Sequence, residues 1–169
     1  WDVVPPTTMR VTSDGERIVS AQEFIPRAVD LSDIEDEIRK DWPYQPDKLK
    51  QALFQRVNKR RLMQIALLDM ILGQTDRHSG NVVVDQQERP WAIDNEASLE
   101  RAYSKSLPEH FAYGVAEWFH NEPISSDLRA DLRNLRKGDF YAALAGIPEE
   151  NIAAAWERKQ VLVRTGRVP

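Results

Sequence analysis

Apolar and polar positions alternate along "VVPPTTMRVTSDGERIVSAQEFIP" (residues 3–26), a stretch rich in Val, Ile and Thr. A period of two is that of half-buried strands. Asp14-Gly15 at its middle is a strong hairpin signal, so strands are expected near Thr7–Thr12 and Arg17–Phe24, ended by Pro26. In "LSDIEDEIRKDW" the Ser32 and Glu35 pair has capping-box spacing and predicts a short helix, which "WPYQP" breaks. From Asp47 to about Gly73 the apolar residues Leu49, Leu53, Leu62, Ile65, Ala66, Leu68 and Leu72 include an i, i+3, i+4 stripe, read as one long helix stopped by Gly73. Two short strands, Asn81–Val84 and Trp91–Ile93, follow around the turn "DQQERP". Helices are then expected over His110–His120, Ser126–Arg136, Asp139–Leu144 and Pro148 to about Val163, with Gly166 just past the last. The pattern as a whole predicts an α+β protein: an N-terminal β-hairpin (1–26), then a mainly α-helical body (27–169) with one small β-hairpin set in it.

Composition narrows the classes. The 169 residues are 41% hydrophobic and 30% charged, as in a soluble globular domain. A net charge of −4 supplies no global basic field to draw the chain to nucleic acid. There is no cysteine, which excludes disulfides, thiolate metal sites and a Cys nucleophile, and leans the compartment towards the cytoplasm. No apolar run is long enough for a membrane span, and no leader pattern is present. The sequence opens on Trp1 rather than Met, so further residues are expected upstream. Lys48, Lys50, Arg56, Lys59, Arg60 and Arg61 read as a solvated helix face, and His110 and His120 as structural. Trp42, Trp91, Trp118 and Trp156 read as packing residues, with no basic tract interleaved among them.

Candidate chemistry gathers around the inner hairpin. Asp76 follows the long helix in a loop, Asn81 comes five residues later as the first strand begins, and Asp94 stands where the second strand ends. Paired strands bring their outer ends side by side, so Asn81 and Asp94 are expected to be neighbours, with Asp76 close by. One carboxylate and one amide oxygen suit Mg²⁺, a hard ion that completes its octahedron with water and nucleotide phosphates, better than Zn²⁺. A further carboxylate that binds no metal can orient or deprotonate an attacking hydroxyl. These are the parts of a phosphoryl-transfer site.

The order Asp-x4-Asn-x12-Asp, within "TDRHSGN" and "AIDNE", resembles the catalytic and metal loops of the protein-kinase-like superfamily. It is most similar to the phosphatidylinositol 3-/4-kinase branch, nearest the type II phosphatidylinositol 4-kinases and bacterial relatives, which also share a closing pattern like "IPEENIAAAWERKQVLVRTGRVP". The resemblance implies a kinase-like C-terminal catalytic lobe using ATP and Mg²⁺, with Asp76 as the catalytic aspartate and Asn81 and Asp94 as metal ligands. It implies an assisting role for His78, a phosphate contact or a loop salt bridge for Arg77, and adenine contacts for Gln22, Glu23 and Phe24 in an interlobe linker. Phosphate-clamping small-lobe elements would lie upstream. The chain departs from the branch at Glu96, where Gly is usual, and "ASLERAYSKSLPEHFAYG" (97–114) holds few basic residues. The second departure points to a protein or small-molecule hydroxyl as acceptor ahead of a lipid headgroup. Two alternatives stand beside the kinase: AMP transfer on the same fold, and a pseudokinase that binds without turnover.

Overall fold

The computed structural model describes residues 1–11, 18–95, 97–99 and 114–169, and for residues 8–11 and 18–21 only the backbone. Within these it is a mixed α+β structure: six α-helices, a two-stranded hairpin and a three-stranded antiparallel sheet. The chain divides into two compact units, one of residues 1–61 and 79–93, the other of 62–78 and 94–169.

In the first unit, strands β1 (Thr7–Val11) and β2 (Ile18–Gln22) pair antiparallel, Thr7 opposite Gln22 and Val11 opposite Ile18. The Asp14-Gly15 turn lies outside the described residues. Strand β2 ends at Gln22, two residues before its expected end. A strand the sequence pattern does not reveal, β3 (Val29–Asp30), runs straight into helix α1 (Leu31–Asp41). That junction overrides the capping box: Asp30 takes the cap position and Ser32 falls inside the first turn. Leu31, Glu35 and Ile38 form the buried stripe of α1 at spacings of four and three.

Helix α2 (Pro46–Arg56) starts on Pro46, whose missing N–H costs nothing at the first helical position. The single helix expected from Asp47 to Gly73 is in fact two, α2 and α3 (Lys59–Leu72). Val57 is extended (φ −135°, ψ 136°) and buried, and the Asn58 side chain accepts a hydrogen bond from the Arg61 N–H at 3.1 Å. Asn58 thus acts as a new N-cap, and its own N–H donates to the Glu88 carbonyl at 2.8 Å.

The inner hairpin joins β4 (Val82–Val84) to β5 (Pro90–Ala92), and β3 pairs with the outer edge of β4. Val82 and Val84 are buried, as a β-branched strand under cover should be. Asn81 belongs to a 3₁₀ turn (Ser79–Asn81) before β4, and β5 starts and stops one residue earlier than expected. The Asp85 carboxylate organises the turn. One oxygen accepts the N–H groups of Gln87 and Arg89, both at 2.9 Å; the other accepts Arg89 Nε at 2.8 Å and Trp91 Nε1 at 3.0 Å. Burial works against the charge, but these hydrogen bonds prevail and hold the Asp85 carboxyl below its ordinary range.

The second unit begins inside α3, whose residues 62–67 and 69–71 are all buried, the mark of a central helix. Beyond it come a 3₁₀ segment (Val115–Phe119) and helices α4 (Ser126–Asn134), α5 (Lys137–Ala143) and α6 (Glu149–Thr165). Of the helix expected over His110–His120, residues 110–113 lie outside the described residues and the remainder is the 3₁₀ segment. Pro148 caps α6 rather than opening it, and Gly166 ends it in the left-handed region (φ 65°). Arg158 on α6 is fully buried, and its Nε donates to the Met70 and Ile71 carbonyls at 3.1 and 3.0 Å. A cation therefore meets the carbonyl end of α3, where the helix dipole favours one. Among the described residues no helix is long and apolar enough to cross a membrane.

Candidate active site

The loop carrying Asp76 is built from the end of α3. Gly73 adopts φ 71°, and the Gln74 N–H reaches back to the Asp69 carbonyl at 3.0 Å, closing the helix in a Schellman turn. The chain thereby turns sharply away from the helix axis and presents Asp76 exposed. Two buried side chains hold the loop from beneath. Gln74, 2% exposed, accepts the Asp76 N–H on Oε1 at 3.0 Å and donates from Nε2 to the Asp94 carbonyl at 3.2 Å. Arg77 donates from Nε to both Asp69 carboxylate oxygens, at 3.3 and 3.1 Å, and from Nη2 to one of them at 3.2 Å. The same guanidinium donates to the Asn95 side-chain oxygen.

The Asp69–Arg77 pair is almost wholly shielded, with side-chain exposures of 6% and 4%. Burial pushes the Asp69 carboxyl up to about 6, although the charge and hydrogen bonds of Arg77 pull the other way. Behind the loop, Gly114 has φ 102°, and a Cβ there would lie 1.8 Å from the Arg77 carbonyl oxygen. Only glycine allows that approach.

The predicted site residues are distributed as follows. In the second unit, Asp76 and His78 are exposed on the loop, and the His78 N–H donates to the Asp76 carbonyl at 3.1 Å. Arg77 is not at the surface: its guanidinium forms the salt bridge to Asp69 that the sequence reading set against a phosphate contact. Asp94 is exposed and takes a left-handed backbone (φ 49°), which Asp tolerates better than most residues. Gln74 therefore links the backbone of Asp76 to that of Asp94 within one unit.

In the first unit, Asn81 is buried and its carbonyl accepts the Ile93 N–H at 3.0 Å, so its cross-strand partner is the residue just before Asp94. Gln22 closes β2 with its side chain donating to Thr7 Oγ1 at 3.3 Å, and the Glu23 N–H donates to the Pro6 carbonyl at 2.8 Å. Glu23 and the 81%-exposed Phe24 line a cavity of about 500 Å³ with Ile25, Asp85, Arg89 and Trp91. That cavity adjoins the turn of the inner hairpin, whereas Asn81 stands at the opposite end of β4. Four residue steps, through the three residues of β4, separate Asn81 from Asp85, about 13 Å at strand rise.

Glu96 lies outside the described residues. Sequence reasoning missed Gln74, Asn95 and Gly114, whose parts depend on contacts distant in the chain. The only local signals were a polar residue straight after a helix-stopping glycine and a lone Gly in an aromatic run. Of the two metal ligands expected from the sequence, Asn81 belongs to the first unit and Asp94 to the second. Among the described residues no group of three or more His, Asp or Glu side chains is arranged to hold a metal by itself. No protein-family model matches the chain, and comparison with curated proteins returns no match.

Proposed function

We propose that this chain is the kinase-like catalytic lobe of an ATP- and Mg²⁺-dependent phosphotransferase that moves the γ-phosphoryl group to a hydroxyl acceptor. One observation carries the reading: the Asp-x4-Asn-x12-Asp series runs over a buried helix, a loop braced by Gln74 and Arg77, and a short antiparallel hairpin. In this reading Asp76, exposed and fixed through its own N–H, accepts or orients the proton of the acceptor hydroxyl. Asp94 and Asn81 supply the oxygens that hold Mg²⁺, as the resemblance in the loop sequences implies. When bound, Mg²⁺ neutralises charge on the transferring phosphates. The paucity of basic residues in 97–114 favours a protein or small-molecule hydroxyl over a lipid headgroup.

The test uses the full-length protein with γ- and α-³²P-labelled ATP, Mg²⁺ and candidate acceptors. Transfer of the γ-label, reduced about 10²–10⁴-fold by Asp76→Ala and abolished by Asp94→Ala, is the expected result. Glu96, in place of the usual Gly, favours a second reading, a module that binds nucleotide without turnover; Mg²⁺-ATP would then raise the melting temperature with no label moved. Transfer of the α-label would instead mark AMP transfer. If neither label moves and the melting temperature is unaltered, the enzyme reading fails.

A further inference from the structure

We infer that Gln74 is a positioning residue that sets the backbone of Asp76 against the backbone of Asp94, an inference that rests on the phosphotransferase reading for its catalytic consequence. Three observations carry it. Gln74 is 2% exposed, so its amide has been withdrawn from water and must recover its hydrogen bonds inside the protein. It does so with both functional atoms at once, Oε1 towards the Asp76 N–H and Nε2 towards the Asp94 carbonyl. Those two backbone groups belong to residues eighteen positions apart in sequence, and each adjoins a carboxylate assigned a role in the chemistry.

The geometry explains why an amide is required. A carboxylate can accept from Asp76 but cannot donate to the Asp94 carbonyl, and an apolar side chain can do neither. The anchorage of Gln74 is itself firm: its N–H is tied into the Schellman turn at Asp69, whose carboxylate receives Arg77. Arg77 reaches on to Asn95, so a second buried side chain repeats the link one residue further along. Asp94, held at φ 49°, has a less favourable backbone than an extended residue, and the hydrogen bond to its carbonyl opposes relaxation. In a phosphoryl-transfer site, a shift of about 1 Å between base and metal ligand costs about 10²-fold in rate.

The experiment compares the wild-type full-length protein with Gln74→Met and Gln74→Glu. Amide hydrogen exchange at Asp76 is followed by NMR without nucleotide, and kcat and half-saturation by Mg²⁺ are measured with γ-labelled ATP. Gln74→Met is expected to melt cooperatively and to exchange the Asp76 amide about tenfold faster. It should also lose about 10–100-fold in kcat and need more Mg²⁺ for half-saturation. Gln74→Glu keeps the acceptor, so the Asp76 amide stays protected while the Mg²⁺ requirement still rises. Unchanged Asp76 exchange in folded Gln74→Met overturns the inference, as does an unchanged kcat with an unchanged Mg²⁺ requirement. Should Gln74→Met fail to fold, an unaltered Mg²⁺ requirement in Gln74→Glu overturns it. If the wild type transfers no phosphate, the phosphotransferase reading falls by itself. Asp76 exchange then decides the positioning role alone, sustained if faster in Gln74→Met and overturned if unchanged.

Discussion

A carboxylate and a guanidinium removed from water together, as Asp69 and Arg77 are, stabilise a fold only while both remain. Removing one partner leaves a buried charge uncompensated, and Asp69→Leu is expected to destabilise by about 3–5 kcal/mol in urea unfolding. The pair also has a pH signature. With the Asp69 carboxyl at about 6 in the folded chain and about 3.9 unfolded, the native state binds this proton more tightly. Its contribution to stability is therefore complete below about pH 4 and is lost as pH rises through about 6. Across that window the wild type should lose on the order of 2–3 kcal/mol relative to Asp69→Asn, measured by urea midpoints at half-unit pH steps. A wild type and Asp69→Asn with parallel pH profiles would refute the assignment. The ion pair of Asp69 with a residue eight positions on is not legible in the sequence, because it depends on the path of the loop.

Among the elements, the break between α2 and α3 turns on two adjacent residues. Val57, β-branched and extended, leaves the helix, and Asn58 restarts it by accepting the Arg61 N–H. Asn58→Ala should cost about 1 kcal/mol, with Asn58→Gly costing only a few tenths, by thermal melts of the two variants. Equal melting temperatures for Asn58→Ala and wild type would show that the cap contributes nothing. Helical periodicity did reveal α2 and α3, because Leu49 and Leu53 in the one and Leu62 and Ile65 in the other keep helical spacing. It did not reveal the break, because Val57 and Asn58 are both tolerated inside helices and their departure is tied to the Glu88 carbonyl thirty residues away. Strand β3 escaped notice for the same kind of reason: two residues have no period, and only pairing with β4 defines them. The inner hairpin was legible because a Val run, a polar turn and a second apolar run need no distant partner.

At the scale of the whole molecule, Asp69 and Asp85 contribute to acid stability with opposite signs. As pH falls from about 6 to 4, Asp69 adds stability; Asp85, whose carboxyl titrates below its ordinary range, then withdraws it. The Asp85 term is present above the unfolded carboxylate pKa and is lost as pH falls through the lower folded value. A stability maximum in the weakly acid range is the expected outcome for the wild type. Asp85→Asn should be less stable at neutral pH and should lose less on acidification below pH 4; an identical acid limb in the two proteins would exclude Asp85 as its cause. The division of the chain into units was not legible from sequence, since residues 79–93 return to the first unit after 62–78 have joined the second. Composition and periodicity run along the chain and carry no record of such a return.

The buried Arg158 has a consequence for how the protein is made. The carbonyls at the end of α3 that it satisfies are synthesised 88 and 87 residues before it. At ribosomal rates of about 5–20 residues per second, that interval is roughly 4–18 s. Throughout it, the newly made segment leading into Asp76 has no Arg158 to lean on. Nascent chains stalled before α6 should therefore leave this segment open to protease, and chains extended past it should not.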